Sequence, residues 1–172
     1  MKFYEKTLSE NIIYEGNYLT FTNISVELPN GDISDRDIIK HPGACAIIPF
    51  IDNNKIILVE QFRKAIEKTI LEIPAGKLDK TEDSLTCAHR ELEEETGYKA
   101  KNMTYLGTIA TAPGFCNELI HLYKATDLYI GEKSCDEDEF TEVKTFTLEE
   151  VKSMVKSGEI IDTKTISILA YL

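Results

Sequence analysis

One stretch, residues 76–98, GKLDKTEDSLTCAHRELEEETGY, constrains this chain more than any other. Gly76 is followed six positions on by Glu82 and, after seven more residues, by the run Arg90, Glu91, Leu92, Glu93, Glu94, Glu95, Thr96, Gly97, Tyr98. Asp79 with Glu82 reads as a capping box and Gly97 as a left-handed stop, so the spacing predicts a helix over residues 80–96. At about 100° per residue, Leu85, Ala88 and Leu92 share one stripe, and Glu91, Glu94 and Glu95 share an adjacent one. The first stripe should pack; the second collects negative charge.

Like charges three and four residues apart destabilise a helix by roughly 0.3 kcal/mol per pair, so Glu91, Glu94 and Glu95 need a compensating cation. Mg²⁺ or Mn²⁺ suits them, because these hard ions take carboxylates and water and share remaining positions with phosphate oxygens. The bland alternative is a solvated acidic helix face with Arg90 paired to Glu94.

At 172 residues and 42% hydrophobic, the chain is long enough for one substantial core with a small appended element. A net charge of -11 and a pI near 4.8 argue against a surface built for nucleic-acid backbones, which needs clustered Lys and Arg. Cys45, Cys87, Cys116 and Cys135 are scattered without a C-x-x-C pair or zinc-ligand spacing, and read as free thiols. The start MKFYEKTLSENIIYEG lacks the apolar run of a signal peptide, and no stretch approaches a membrane span of about 20 apolar residues. A reducing cytoplasm, with no membrane partner, is the expectation.

YLTFTNISVEL and ISDRDIIK, joined by the turn signal PNG, predict a small N-terminal antiparallel sheet. After Pro42 and Gly43, ACAIIPFI and KIILVEQF read as two buried strands joined by the turn Asp52-Asn53-Asn54. KTILEIP delivers the chain to Gly76, and NMTYLGTIAT and ELIHLYKATDL flank the loop APGFCN. Thr147 with Glu150 is a second capping box, for a helix to about Ser157, and Asp162 can cap a last helix. Irregularly alternating strands and helices define an α+β sandwich.

With every fixed position of the family's box occupied, residues 76–98 resemble the Nudix hydrolase family, whose box forms a loop, a helix and a loop that hold divalent cations against a diphosphate. EQFRKAIEKTILEIPAGKLD and APGFCNELIHLY are similar to the ADP-ribose pyrophosphatase branch, which is marked by a proline about fifteen residues after the box, and Pro113 fits. The resemblance implies a Nudix α/β/α sandwich with a mixed sheet over residues 42–172, and a β-sheet over residues 1–41 that helps form an intertwined homodimer. It implies Mg²⁺- or Mn²⁺-dependent hydrolysis of ADP-ribose to AMP and ribose 5-phosphate. Another nucleoside diphosphate sugar, a non-catalytic nucleotide-sugar sensor, and RNA ends stand as rival readings.

Carried over by position, Glu91 and Glu95 ligate the metals, with Glu94 close by and the Ala75 carbonyl as a backbone ligand. Glu82 either ligates or supports the loop, and Arg90 completes the box. The water-activating base falls in CDEDEFTEV, at Glu139 or, with the loop slipped by two residues, Glu137. Arg63 in EQFR would contact the substrate's phosphates or terminal ribose, and Arg36 would reach across the dimer towards the nucleotide. Pro113 is counted with the substrate-binding residues, and Phe115 lines the sugar side or anchors its loop. Relatives that stack adenine between tryptophans find no counterpart, since the chain has no Trp; Tyr18 or Phe21 stacks the base or simply belongs to the core. His41, His89 and His121 are read as structural.

Overall fold

The computed structural model describes residues 2–134 and 140–172, and these form two compact units, Met1–Gly43 with Ala110–Leu119, and Ala44–Ile109 with Ile120–Leu172. In the first unit, β1 (Lys6–Glu15), β2 (Thr20–Glu27) and β3 (Ile33–Lys40) form an antiparallel sheet in that order. The PNG signal does its work: Gly31 takes φ 89° and donates its N–H to the Leu28 carbonyl, closing the β2–β3 turn. β1 had no sequence signature of its own. Its residues are exposed throughout, so no buried face imposes an alternating pattern.

The loop after Ala110 joins this sheet. Ile39 donates its N–H to the Phe115 carbonyl (2.7 Å), Asn117 returns one to the Ile39 carbonyl (3.2 Å), and Cys116 bridges Ile39 in parallel fashion.

The second unit holds two sheets. One runs β7 (Ala75–Lys77), β4 (Ala44–Pro49), β9 (Leu119–Ile130), β8 (Tyr98–Ala110), with β4 and β9 parallel and β7 antiparallel to β4; the other runs β10 (Thr141–Thr147), β5 (Lys55–Arg63), β6 (Lys68–Glu72). ACAIIPFI and KIILVEQF therefore do not form an extended hairpin. The chain changes sheets between them, leaving a single antiparallel bridge, Phe50 with Ile56. Both strands are apolar on both faces, a pattern that reports burial and leaves the pairing partner open.

β4 is buried along its whole length and divides its side chains by the two-residue period of a strand. Cys45 and Ile47 pack with Cys87, Ala88 and Leu92 of α1 (Ser84–Thr96). Ala44, Ala46 and Ile48 pack instead with Ile56, Leu58, Ile73, Val151 and Ile168, the last two from α2 (Leu148–Ser157) and α3 (Thr163–Ile168). Helices thus cover β structure from both sides, the layered α+β arrangement expected.

The helix ends follow their sequence signals with one exception. Thr147 and Glu150 complete a reciprocal capping box for α2, and the Asp162 carboxylate accepts from the Thr165 N–H at the start of α3. Gly97 ends α1 at φ 74°. The start of α1, however, lies four residues later than predicted. Thr81 sits at φ 72°, which no right-handed turn can include, so Asp79 and Glu82 close a separate turn and Asp83 caps the helix. Ala88 and Leu92 are fully buried, while Leu85, in that shortened first turn, is 45% exposed and does not belong to the packing stripe. Burying Leu92 contributes roughly 2 kcal/mol.

Candidate active site

The acidic residues of α1 converge on the turn that leads out of β7. Glu91 and Glu95, one helical turn apart, are only 8% and 3% exposed. The Glu91 carboxylate occupies the space where Gly76 has no side chain: a Cβ added there would fall 1.8 Å from Glu91 Oε1. That position needs glycine for want of room, and its close approach brings Glu91 against the β7 backbone. Glu95 Oε2 accepts the Ala75 N–H (3.1 Å), which leaves the Ala75 carbonyl on the same strand for another partner.

Arg90 stands at the centre of the remaining carboxylates. Its Nη1 donates to Glu91 (2.6 Å) and Glu94 (2.9 Å), its Nε and Nη2 to Glu82 (3.0 and 2.9 Å), and Nη2 also to the Lys77 carbonyl (3.1 Å). One guanidinium therefore organises three carboxylates, which accounts for Arg90 being held firmly protonated by Glu82 above all and for the Glu82 carboxyl lying below its usual range. Glu82 also accepts the Asp79 N–H (3.2 Å), so it braces the loop. Both elements of the bland alternative, the Arg90 pair with Glu94 and an acidic helix face, are present, yet Glu91 and Glu95 are buried where a solvated face would expose them.

Three carboxylates share this one guanidinium, and Glu95 lies one turn along the same helix. Among the described residues no three acidic, His or Cys side chains make a ready ligand cluster by themselves. The side-chain acceptors gathered at this turn are nevertheless all oxygens, from Glu91, Glu94 and Glu95, beside the Ala75 backbone. That chemistry fits Mg²⁺ or Mn²⁺ and does not fit a soft, thiolate-seeking ion. A cleft of about 510 Å³ lined by Arg90, Glu93, Glu94, Glu132 and Ser134 opens beside this cluster. A larger one, about 630 Å³, is lined by Glu60, Gln61, Phe62, Lys133 and Phe140.

Arg63 and Arg36 are more committed than their sequence contexts imply. Arg63 donates from Nε and Nη2 to the two oxygens of Glu72 (2.7 and 2.9 Å), which is 1% exposed and also paired with Lys164. Burial works against the Arg63 charge, and the Glu72 pair outweighs it. Arg63 keeps a 40% exposed side chain, so it can present its outer edge to a ligand while Glu72 fixes its plane. Arg36 grips Glu5 through Nε and Nη2 (3.0 and 2.6 Å) and reaches Ser34 and the Asp35 carbonyl through Nη1.

Pro113 and Phe115 lie in the loop that joins β3, with Phe115 exposed. Tyr18 packs edge-on against His41, whose Nδ1 accepts the Gly43 N–H (3.0 Å) and whose Nε2 lies 3.5 Å from Glu118. His121 bonds Thr108, and His89 is exposed on α1. Glu139 and Glu137 lie outside the described residues, as does Cys135. The residues that sequence reasoning missed are supporting ones, Glu72 and Lys164. A buried Glu and Lys more than ninety positions apart carry no local signal.

A loop, a helix and a β strand that bring buried glutamates to one backbone turn, in a layered α+β domain, match a known family. A model described as "NUDIX domain" matches residues 40–166. The chain belongs to that family. It is 48% identical to the ADP-ribose pyrophosphatase of Bacillus subtilis strain 168, over 98% of this chain and 92% of that protein. It is also 48% identical to the methanol dehydrogenase activator of Bacillus methanolicus, over 99% and 93%, and 31% identical to the GDP-mannose pyrophosphatase of Shigella flexneri, over 96% and 94%. A solved structure titled as an ADP compounds hydrolase superposes with a TM-score of 0.85 at 22% identity, covering 97% of this chain and 91% of that one, a likeness of fold.

Proposed function

We propose that the protein hydrolyses the diphosphate bond of ADP-ribose, releasing AMP and ribose 5-phosphate, in a reaction that depends on Mg²⁺ or Mn²⁺. The observation that carries this reading is the buried pair Glu91 and Glu95 packed against Gly76 and Ala75, in a chain nearly half identical, end to end, to an ADP-ribose pyrophosphatase. Glu91, Glu94, Glu95 and the Ala75 carbonyl would hold the ions. When bound, these would neutralise the diphosphate and lower the pKa of the attacking water.

The protein's own residues then have separate tasks. Arg90 orients Glu82, Glu91 and Glu94 through its hydrogen bonds. Arg63, its plane set by Glu72, binds the substrate's phosphates or terminal ribose through its exposed edge, and Pro113 and Phe115 face the sugar. Arg36 serves the nucleotide of the neighbouring copy, a role for which it must exchange part of its bonding to Glu5. Glu139 takes the proton from the attacking water, with Glu137 as the alternative. Glu139→Gln should depress kcat more than substrate affinity; the same loss confined to Glu137→Gln would transfer the role.

The sheet of residues 1–41 serves a homodimer, for which Leu8, Ile12, Ile13 and Tyr14 of β1 supply exposed apolar surface. The setting is the cytoplasm; no helix among the described residues is long and apolar enough to cross a membrane. Likeness to a GDP-mannose pyrophosphatase favours a second reading, the same chemistry on another nucleotide sugar. Chromatographic detection of AMP from ADP-ribose, with Mg²⁺ and then with EDTA, beside GDP-mannose and other nucleotide sugars, tests both. The expected result is metal-dependent release with the highest kcat/KM for ADP-ribose. A higher value for a hexose would replace the substrate, and binding without cleavage would make the protein a sensor.

A further inference from the structure

We infer that Cys45 and Cys87 are a modification site, a dithiol that closes to a reversible disulfide under oxidation. The two are 42 positions apart in sequence, yet their Sγ atoms lie 2.8 Å apart, both fully buried in the core between β4 and α1. An S–S bond is about 2.05 Å long, so closure needs less than an ångström of further approach. Packing alone does not require sulfur here, since Ala88, Ala100 and Ala125 line the same core.

The two cysteines are unequally placed. Cys45 sits in the middle of the four-stranded sheet, opposite Gly76 on one side and His121 on the other. Its thiol is held protonated by its bond to Cys87 and by burial. Cys87 lies in the first turn of α1, where Leu85 and Thr86 are exposed and the turn is closed by the Asp83 carboxylate accepting the Leu85 and Thr86 N–H groups (3.0 and 3.1 Å). Helix ends open more readily than sheet centres, so Cys87 is the sulfur that a small oxidant reaches first.

With hydrogen peroxide as oxidant, Cys87 sulfur attacks one peroxide oxygen, the O–O bond breaks, and the departing hydroxide takes the thiol proton as water. Cys45 sulfur then attacks the resulting Cys87 sulfenic acid, the S–O bond breaks, and the Cys45 proton leaves with that oxygen as a second water. Two thiols and one peroxide become one disulfide and two waters. The new bond ties the first turn of α1 to β4. It also engages Cys87 Sγ, which contacts the Lys77 carbonyl (3.5 Å) and Nη2 of Arg90 (3.6 Å), the guanidinium that bonds Glu82, Glu91 and Glu94.

The test is peroxide treatment of the full chain followed by thiol counting and non-reducing peptide mass mapping. The expected result is loss of two of the four thiols, a linked peptide pair containing Cys45 and Cys87, and full recovery with dithiothreitol. Cys116→Ala should leave that link intact, Cys87→Ala should abolish it, and Asp83→Ala, by loosening the helix start, should speed its formation several-fold. Oxidation of Cys116 or Cys135 while Cys45 and Cys87 stay reduced would overturn the inference. So would their conversion to sulfinic acids without a linked peptide.

Discussion

β1 and β4 are both strands, of ten and six residues, yet every residue of β1 is exposed and every residue of β4 is buried. β4 is held by two cores, one on each face, and by ladders to β7 and β9. β1 is held by its ladder to β2, with register shifts near Ser9 and Tyr14, and by ion pairs that pass Arg36 to Glu5 and Lys40 to Glu10. The lesson is that strand order comes from two separate sources. In β4, burial of side chains supplies it. In β1, backbone pairing supplies it while leaving Ile12, Ile13 and Tyr14 available to a second chain.

That contrast can be broken by substitution. The largest effect belongs to the region built on β4 and α1: Glu95→Gln should lower turnover by at least about 10²-fold with the fold intact, because it removes a charge at almost constant volume. Near-normal kcat with normal circular dichroism would remove Glu95 from the proposed metal site. Next, Ile47→Ala should cost about 3 kcal/mol, read as a lower urea midpoint, since it opens a cavity beneath α1. Ile12→Thr preserves strand propensity and touches no core, so it should change single-chain stability by less than about 0.5 kcal/mol. For the proposed homodimer its effect should appear in sedimentation, as weaker self-association; unchanged self-association would mean that β1 is not the interface. Between Ile47→Ala and Ile12→Thr in its effect on stability falls Thr147→Ala, which removes the α2 capping box and should cost about 1 kcal/mol without altering kcat.

The box helix, its glycine stop, both later caps and the N-terminal hairpin turn were legible because each depends on residues within one or two turns of chain. Legibility failed where a short signal had competition. Asp79 and Glu82 carry a capping pattern, and Glu82 does reach the Asp79 N–H, but the left-handed Thr81 between them hands the helix start to Asp83. Glu91, Glu94 and Glu95 were placed on one face by periodicity alone; that Glu91 needs the missing side chain of Gly76 was not visible, since it is a contact between a helix and a strand fifteen residues apart.

By itself, then, the amino-acid order determined most of the elements and the acidic face of α1. Tertiary structure decided how those parts were engaged. It put β4 and β5 in different sheets, clamped Arg63 on buried Glu72 and Arg36 on Glu5, and brought Cys45 to Cys87. The physical reason is range. Caps, turns and helical stripes are set by hydrogen bonds and sterics between near neighbours, whereas ion-pair choice, strand partnership and thiol proximity follow from which surfaces the whole chain can bury together.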